Sequence, residues 1–297
     1  MTFPERQLEK IVKEICQELS LIYTPYADGW IIGITKNNVT KYIYGYNFCL
    51  NNSCASRVAD DKAATYEILN QHQIKAFAHY CWFTGYVDFQ KVFSLYQEFN
   101  KDVVVKPNSG SGGRSVFHIR DNENELVDKV SLVVNKNSYV ALSPFYQYDT
   151  EYRIIMHKNQ LLTVYAKERQ FVIGDGETNL FSLIVNKYGS LKTELANFVP
   201  AKDEKVVINW KHNLGLGAVP NLEVEKEISQ KMVNLSQQIM KVLDIELCSI
   251  DFALIDKEFY VVEVNAGIMM EKYSKVSEDT YRKTYEVYKS FILEMFK

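Results

Sequence analysis

The stretch from residue 248 to 267, CSIDFALIDKEFYVVEVNAG, limits the fold most, because it predicts a β-hairpin with acidic residues on both strands. If residues 256–258 form the loop, Asp251 lies directly opposite Glu263, and such opposed residues have Cβ atoms about 4.5–5.5 Å apart. Asn265 is two residues further along and therefore lies on the same face as Glu263. Two carboxylates and an amide thus converge on one face of the predicted hairpin.

This group of side chains predicts a metal site. Two carboxylates at that distance repel each other, so we expect a cation between them. Oxygen ligands suit Mg²⁺, which usually takes one or two carboxylates together with substrate phosphates, and Mn²⁺ can take the same ligands. A single carboxylate could instead cap a strand or pair with a surface lysine. Three oxygen ligands in register favour the metal, and the predicted ligands are Asp251, Glu263 and Asn265.

The order of the predicted elements indicates an α+β fold. Apolar residues at helical spacing predict a helix near residues 8–19, and Thr2 and Glu5 ahead of it have the order of a capping box. The other predicted helices begin near Asp60, begin after Asn122, or span about 223–243 and 277–296, and the predicted hairpins span about 30–49, 151–168 and 248–267. Strands and helices interleave without a regular alternation, which fits α+β lobes better than one parallel sheet.

A glycine-rich loop at 108–115 follows the short apolar strand VVVK and precedes a second strand, SVFHI. Glycines in this loop let backbone N–H groups approach phosphate oxygens closely, and Lys106 adds a positive charge. The loop lacks the G-K-[ST] ending of a Walker A sequence, and a strand rather than a helix follows it. A phosphate-binding lid and a plain connecting loop are both compatible with this pattern.

Two further groups of polar residues are candidates for a site. Glu151 and Arg153 share one face of the predicted middle hairpin, whose second strand carries Lys167. The loop NWKHNLGLG offers Lys211 and Asn213 together with two glycines. The alternatives are ordinary solvated charges on a strand and a loop that only connects two elements.

Composition and charge exclude several classes of protein. The chain has 297 residues, of which 47% are hydrophobic and 24% charged, enough for a large core divided over two or more lobes. The net charge of −3 gives no electrostatic reason to bind nucleic acid. The five cysteines include no Cys-x-x-Cys pair, which favours a reducing compartment over a disulfide framework or a zinc site. The charged first twenty residues are not a signal peptide and no 18 apolar residues run together, so we expect a cytoplasmic protein without a membrane span.

Taken in order, the segments between about residues 41 and 272 resemble the ATP-grasp superfamily, above all the ATP-grasp module of cyanophycin synthetase, glutathione synthetase-like ligases and the ribosomal-protein glutamate ligases. ADDKAATYEILNQHQI resembles the helix with an early phosphate-binding lysine, and VVVKPNSGSGGRSV resembles the lysine strand and glycine-rich lid. VALSPFYQYDTEYRIIM is similar to the adenine hinge and ribose-binding acid, and NWKHNLGLGA to the loop near the transferred phosphate. IDFALIDKEFYVVEVNAG resembles the magnesium signature. Each motif is loose, and their common order makes the match specific.

The resemblance implies an ATP-grasp fold, in which two α+β lobes at 61–145 and 146–297 grip ATP after a short α/β segment at 1–60. The implied ATP-binding residues are Lys62 and Lys106 on the phosphates, Ser109, Gly110, Ser111, Gly112 and Gly113 in the lid, Ala141, Leu142, Ser143 and Phe145 at the adenine, Glu151 at the ribose, and Lys167. The implied catalytic residues, which stabilise an acyl phosphate, are Arg153, Lys211 and Asn213.

The resemblance further implies an ATP- and Mg²⁺-dependent ligase that activates a carboxylate as an acyl phosphate and joins it to an amine. Its substrates would be small molecules or peptides, without nucleic-acid or membrane partners, and a homodimer is compatible with these expectations. A non-catalytic nucleotide-binding regulatory subunit and an ATP-grasp phosphotransferase are the alternatives. Lys211 stands where several relatives carry arginine. Only about sixty residues precede Lys62, too few for the amino-terminal domain that shapes the substrate pocket in many relatives, so the substrates are left open.

Overall fold

A computed structural model describes residues 5–110, 112–189 and 198–297. Its α-helices are α1 (Gln7–Glu18), α2 (Ser53–Asp60), α3 (Lys62–Gln71), α4 (Phe89–Glu98), α5 (Glu123–Asn137), α6 (Leu180–Tyr188), α7 (Lys226–Val242) and α8 (Glu278–Glu294). Its strands are β1 (Ile22–Tyr26), β2 (Ile31–Lys36), β3 (Val39–Tyr44), β4 (Asn47–Phe48), β5 (Tyr80–Phe83), β6 (Asp102–Pro107), β7 (Phe117–Arg120), β8 (Tyr139–Pro144), β9 (Thr150–His157), β10 (Gln160–Glu168), β11 (Phe171–Ile173), β12 (Lys205–Val207), β13 (Val219–Asn221), β14 (Leu247–Ile255) and β15 (Glu258–Asn265). Antiparallel sheets and helices are mixed, so the predicted α+β class is confirmed. No helix in the described ranges is long and apolar enough to cross a membrane.

The first strands form an antiparallel meander in the order β1-β2-β3-β4. The buried face of α1, which includes Leu8, Ile11 and Ile15, belongs to the same core as Ile32 and Ile34 of the meander. The last helix, α8, contributes to this core as well. Both ends of the described chain are therefore stabilised by one shared hydrophobic core, to which each buried aliphatic side chain contributes about 1.5–3 kcal/mol.

The amino terminus of α1 is capped from the far end of the chain. The backbone N–H groups of Gln7 and Leu8 donate to the carboxylate of Glu271 at 2.8 and 3.1 Å. A carboxylate at this position satisfies free N–H groups and interacts favourably with the helix dipole. The N-cap of α1 is Arg6, and Glu5 pairs with Lys13, so the predicted capping box does not open this helix. Thr2, the other member of the predicted box, lies outside the described residues.

A four-stranded sheet in the order β5-β8-β6-β7 forms a second layer with α4 and α5. Val103 and Val105 of β6 face these helices, because successive side chains of a strand point to opposite faces. Asn122 opens α5 as predicted, since its side chain accepts the N–H of Glu125 at 3.0 Å. This sheet carries Lys106 near the end of β6, where the glycine-rich loop begins.

A five-stranded sheet in the order β13-β10-β9-β14-β15 forms the largest layer. On one face Ile154, Ile250 and Phe252 share a core with Met232 and Ile239 of α7. The other face carries the alternate residues of the same strands. Part of that second face packs on the amino-terminal core, which is the core shared by α1, β1–β4 and α8. The remainder carries the polar side chains of the candidate site.

The helix that follows Asp61 packs with the five-stranded sheet. Leu69 of α3 and Ile74 after it share a core with Phe252 and Val261, whereas the four-stranded sheet begins only at Tyr80. Packing thus favours grouping α2 and α3 with the second lobe. The lobe boundaries at 61–145 and 146–297 stay predictions.

The short strands β11 and β12 pair with each other and, with α6, enclose a separate small core. The G-D-G segment before α6 forms a tight turn in which Asp175 accepts the N–H of Thr178 at 2.7 Å. Asn179 then caps α6 by accepting the N–H of Ser182 at 2.9 Å. Local turn chemistry therefore accounts for the start of this helix.

Candidate functional site

The hairpin of β14 and β15 places Asp251 opposite Glu263, as predicted, but with a different turn. The turn has two residues, 256 and 257, both in the left-handed region with φ of 50° and 67°, so the predicted three-residue loop is wrong. That change alone would shift the register by one residue and turn Glu263 to the other face. A β-bulge at Val262 restores the register.

The register continues across a third strand. Arg153 of β9 lies opposite Asp251, which lies opposite Glu263. Arg153 Nε and Nη2 donate to the two carboxylate oxygens of Asp251 at 2.7 Å each, and Lys167 Nζ donates to Oδ2 at 2.6 Å. Burial opposes the ionisation of Asp251, but the charges of Arg153 and Lys167 outweigh burial and hold its pKa well below the ordinary value. A buried, ionised carboxylate therefore lies at the centre of the polar face.

The predicted ribose-binding acid, Glu151, is also fully engaged. Its two oxygens accept from Lys167 Nζ at 2.6 Å and from the Tyr148 hydroxyl at 2.7 Å. The Tyr148 ring stacks on His212 at a centroid distance of 4.9 Å, and His212 Nδ1 lies 3.0 Å from the carbonyl oxygen of Lys167. Burial and the charge of Glu151 raise the pKa of Tyr148, which keeps its hydroxyl a donor. Lys167 thus bridges Glu151 and Asp251.

Arg153, Asp251 and Glu263 form a row across β9, β14 and β15. Glu263, with the neighbouring Asn265, is the more accessible end of this row. Asn265 Nδ2 donates to Glu263 Oε1 at 3.2 Å, and the Glu263 side chain is 24% exposed. Lys62 Nζ lies 3.7 Å from Glu263 Oε2, and Arg153 Nη2 lies 3.9 Å from Oε1. The proposed metal ligands are therefore surrounded by cationic side chains.

The charges around this row suit a metal–polyphosphate complex better than a free metal ion. The charged groups are the cations Lys62, Lys106, Arg153 and Lys167 and the carboxylates Asp60, Glu151, Asp251 and Glu263. With Lys106 protonated, four cations face four carboxylates; the cations suit phosphate groups and the carboxylates suit a metal ion. Within the described ranges, no three His, Cys, Asp or Glu side chains come close enough to hold a metal ion. Two carboxylates and an amide from neighbouring strand positions fit Mg²⁺ when phosphate oxygens complete its ligands.

Lys106 lies near the end of β6 as predicted and is partly buried. Burial, followed by the neighbouring charge of Lys62, lowers its pKa to about 7. None of the described residues forms a hydrogen bond or ion pair with its ammonium group. A cation without a partner beside a glycine-rich loop fits a phosphate-binding role.

The glycine-rich loop is anchored at its start. The side chain and carbonyl of Asn108 accept the backbone N–H groups of Ala63 and Lys62 at 3.0 and 3.1 Å, which ties the loop to the first turn of α3. Lys62 Nζ donates to the carbonyl of Gly110 at 3.2 Å. The lysine at the start of α3 and the glycine-rich loop, both predicted to bind phosphate, are therefore in contact. Of the predicted lid residues, Ser109, Gly110 and Gly112 are exposed, Gly113 is half-buried, and Ser111 lies outside the described residues.

The far side of the glycine-rich loop meets the loop that carries Lys211 and Asn213. Gly113 has φ of 68°, and a Cβ there would lie 2.7 Å from Asn213 Nδ2, so glycine is required for this close approach. Lys211 Nζ donates to the carbonyl of Val116 at 2.8 Å, and Asn213 Oδ1 accepts the N–H of Gly215 at 2.7 Å. The structure thus brings Lys211 and Asn213 to the glycine-rich loop. Lys211 Nζ and Asn213 Oδ1 both form hydrogen bonds with backbone atoms there.

The predicted adenine hinge lies partly inside the four-stranded sheet. Ala141 and Leu142 are buried in β8, the strand between β5 and β6. A central strand uses its backbone N–H and C=O groups in ladders on both sides, so these two residues have none free for adenine. Ser143 is also buried in this strand. The geometry argues against Ala141 and Leu142 and favours the linker 145–148, which contains Phe145.

Among the aromatic residues around this linker the sequence predicted only Phe145, and it did not predict Tyr146, Phe77, His118 or Trp210. Phe145 stacks on His118 at 3.8 Å, and Tyr146 stacks on Phe77 at 3.9 Å. Trp210 contacts both His118 and Phe145 at their edges. The clusters FYQY after Pro144 and WKH at 210–212 were the available signal.

No protein-family profile matches the sequence, and no curated protein matches it. The structure is similar to D-alanine–D-alanine ligase from Bacillus anthracis, with a TM-score of 0.57 and 18% identity over 82% of this chain and 69% of that one. The same ligase complexed with ATP gives 0.54 and 18% over 82% and 68%. A bifunctional glutathione synthetase from Pasteurella multocida gives 0.53 and 16% over 95% of this chain but only 43% of that one. At these identities the similarity is one of fold, and the chain has the ATP-grasp fold that its sequence resemblance predicted.

Proposed function

We propose that this chain is an ATP- and Mg²⁺-dependent carboxylate–amine ligase that acts through an acyl phosphate. The row Arg153–Asp251–Glu263 beside the glycine-rich loop carries the proposal, because it combines cations for phosphates with carboxylates for a metal. The ATP-grasp neighbours above are ligases, and one of those structures holds ATP, which supports the same reading.

In the proposed complex, Lys62 and Lys106 bind the phosphates while the glycine-rich loop covers them. The linker 145–148 holds the adenine, and Glu151 binds the ribose hydroxyls once Lys167 moves toward a phosphate. Asp251, Glu263 and Asn265 would hold Mg²⁺, which supplies charge neutralisation at the terminal phosphates. This role accounts for the three acidic side chains of the five-stranded sheet and for the four cations around them.

The chemistry needs no protein nucleophile. A substrate carboxylate oxygen attacks the γ-phosphorus, the bond from that phosphorus to the β–γ bridging oxygen breaks, and ADP leaves. An amine nitrogen then attacks the acyl carbon, the bond from carbon to the phosphate oxygen breaks, and phosphate leaves while the amine loses a proton. Arg153, Lys211 and Asn213 are the proposed stabilisers of the acyl phosphate, so catalysis rests on positioning and charge neutralisation.

Incubation with Mg²⁺, ATP and pools of amino acids and short peptides tests this function. We expect ADP release together with new masses that correspond to loss of one water between two pool members. Hydroxylamine should trap the acyl phosphate as a hydroxamate when the amine is left out. A phosphorylated product stable to hydroxylamine would identify a phosphotransferase instead, and ATP binding without ADP release would favour a regulatory subunit. A cytoplasmic location and a homodimer belong to the same proposal, and gel filtration tests the homodimer.

A further inference from the structure

His79 has one ring nitrogen that the proposed mechanism does not use. Its side chain is 3% exposed, and Nδ1 lies 2.8 Å from the carbonyl oxygen of Phe77. A carbonyl only accepts, so Nδ1 carries the proton and Nε2 is a bare acceptor. Burial, with the charges of Lys106 and Lys62, lowers the pKa of His79 well below its usual value, so the ring is neutral. Nε2 is buried and has no partner among the described residues.

The segment that carries His79 is held rigidly beside the row of acidic residues. Phe77 N–H donates to the carbonyl of Val261 at 2.8 Å, next to the β-bulge that turns Glu263 toward Asp251. The Phe77 ring stacks on Tyr146 at 3.9 Å. The imidazole is thus a fixed acceptor and not a mobile surface group.

His79 lines a small cavity of about 10 Å³ together with Lys62, Thr65, Tyr66 and Glu263. A buried acceptor without a partner costs about 1–3 kcal/mol, so a donor is expected to reach it in some state of the protein. Thr65 already donates its hydroxyl to a backbone carbonyl at 2.8 Å. Lys62 is the one cationic donor among the described residues that line this cavity.

We propose that His79 is a positioning residue for Lys62: its Nε2 accepts a hydrogen bond from the Lys62 ammonium when nucleotide is bound. This inference rests on the proposed function. In the structure, Lys62 donates to the Gly110 carbonyl and lies 3.7 Å from Glu263. In the nucleotide complex Glu263 turns to the metal, and the acceptors left near Lys62 are the Asp60 carboxylate, which also accepts the N–H of Ala266, and His79 Nε2. An uncharged acceptor holds the ammonium without competing with phosphate for it, as a second carboxylate would.

A pair of polar substitutions separates the two ring nitrogens. His79→Asn keeps a donor near the position of Nδ1 and loses the acceptor at Nε2, whereas His79→Gln keeps an amide oxygen near Nε2. We expect His79→Asn to weaken binding of Mg²⁺ and the ATP analogue AMP-PNP by about tenfold, as for one charge-assisted hydrogen bond. His79→Gln should stay within about threefold of wild type. Calorimetry measures both affinities, and thermal unfolding checks that each variant folds.

The decisive measurement is the coupling to Lys62. If His79 acts through Lys62, His79→Asn should have no effect on AMP-PNP affinity in a Lys62→Met background. His157→Asn is the matched control, because His157 Nε2 is also buried without a partner among the described residues but lies beside Phe291, in the amino-terminal core. Tyr66→Phe removes the other hydroxyl that lines the cavity and should change little.

Additive effects of His79→Asn and Lys62→Met, or equal affinities of the Asn and Gln variants, would overturn the proposal. A loss on Tyr66→Phe equal to that on His79→Asn would assign the acceptor to Tyr66 and also overturn it. Failure of the wild type to bind AMP-PNP would refute the proposed function itself, and this inference with it.

Discussion

Arg153 and Asp251 form a bidentate ion pair between opposite residues of β9 and β14, with two N–H···O distances of 2.7 Å. Asp251 is buried, the Arg153 side chain is 15% exposed, and Lys167 adds a third hydrogen bond to the same carboxylate. A proposed metal ligand is therefore neutralised by the cations of neighbouring strands. This arrangement links the stability of the sheet to the residues of the proposed site.

Asp251→Asn should lower the free energy of unfolding by about 3–5 kcal/mol, because it leaves Arg153 without its close carboxylate and Lys167 paired with Glu151 alone. Urea denaturation followed by circular dichroism measures this change. Glu263→Gln is the matched control, since Glu263 is partly exposed and its ion-pair distances are 3.7 and 3.9 Å; we expect a change below about 1 kcal/mol. Similar losses for both variants would contradict the central role of Asp251.

The same pair predicts how stability depends on pH. The pKa of Asp251 is depressed in the folded chain, so the unfolded chain binds more protons at acidic pH. The stabilisation is complete above the unfolded pKa of about 3.9 and is lost progressively as the pH falls below it. The stability difference between wild type and Asp251→Asn should therefore shrink between about pH 5 and pH 2. A difference that stays constant over this range would mean that the fold does not lower the pKa of Asp251.

Glu263→Gln should suppress ADP formation roughly a hundredfold or more, because it removes a charged oxygen ligand from the proposed metal site while keeping the side-chain shape. Release of ADP in a coupled assay, with Mg²⁺ varied, measures the effect. The thermal unfolding temperature should stay close to that of the wild type. Activity near the wild-type level would show that Glu263 is not a metal ligand.

Nucleotide affinity should fall as the pH rises from 7 to 9. The free chain holds Lys106 with a pKa of about 7, and a bound phosphate stabilises the ammonium form, so binding above pH 7 takes up a proton. The decrease is at most tenfold per pH unit. Calorimetry of AMP-PNP binding in buffers of different ionisation enthalpy measures the proton uptake directly. Lys106→Ala should bind more weakly at pH 7 and lose this pH dependence; an unchanged affinity would indicate a structural lysine.

The glycine-rich loop should become more protected from hydrogen exchange when AMP-PNP and Mg²⁺ bind. The loop touches Lys62 through Gly110 and Asn213 through Gly113, and Gly112 is exposed. Closure over phosphates excludes water and protects an acyl phosphate from hydrolysis. Peptides that cover 109–114 report the change, and peptides of α7 serve as a control. Equal exchange with and without nucleotide would identify a static turn.

Most elements of the fold could be predicted from the amino-acid sequence, because their signals are local. The helical spacing near residues 8–19, the Asn122 cap and the hairpin at 151–168 depend on neighbours only a few positions away, and all three are confirmed. The opposition of Asp251 and Glu263 also followed from local pairing. The order of motifs predicted the ATP-grasp fold, since each motif reflects a local constraint on backbone or charge.

Tertiary structure alone decided the partners of those residues. The bulge at Val262, the cap of α1 by Glu271 and the engagement of Asp251 by Arg153 and Lys167 each join residues that are far apart or depend on a neighbouring strand. A carboxylate in a sequence carries no information about which cation will lie beside it. The folded structure decides which cation lies beside each carboxylate, because an ionised group that is buried away from water has to be paired.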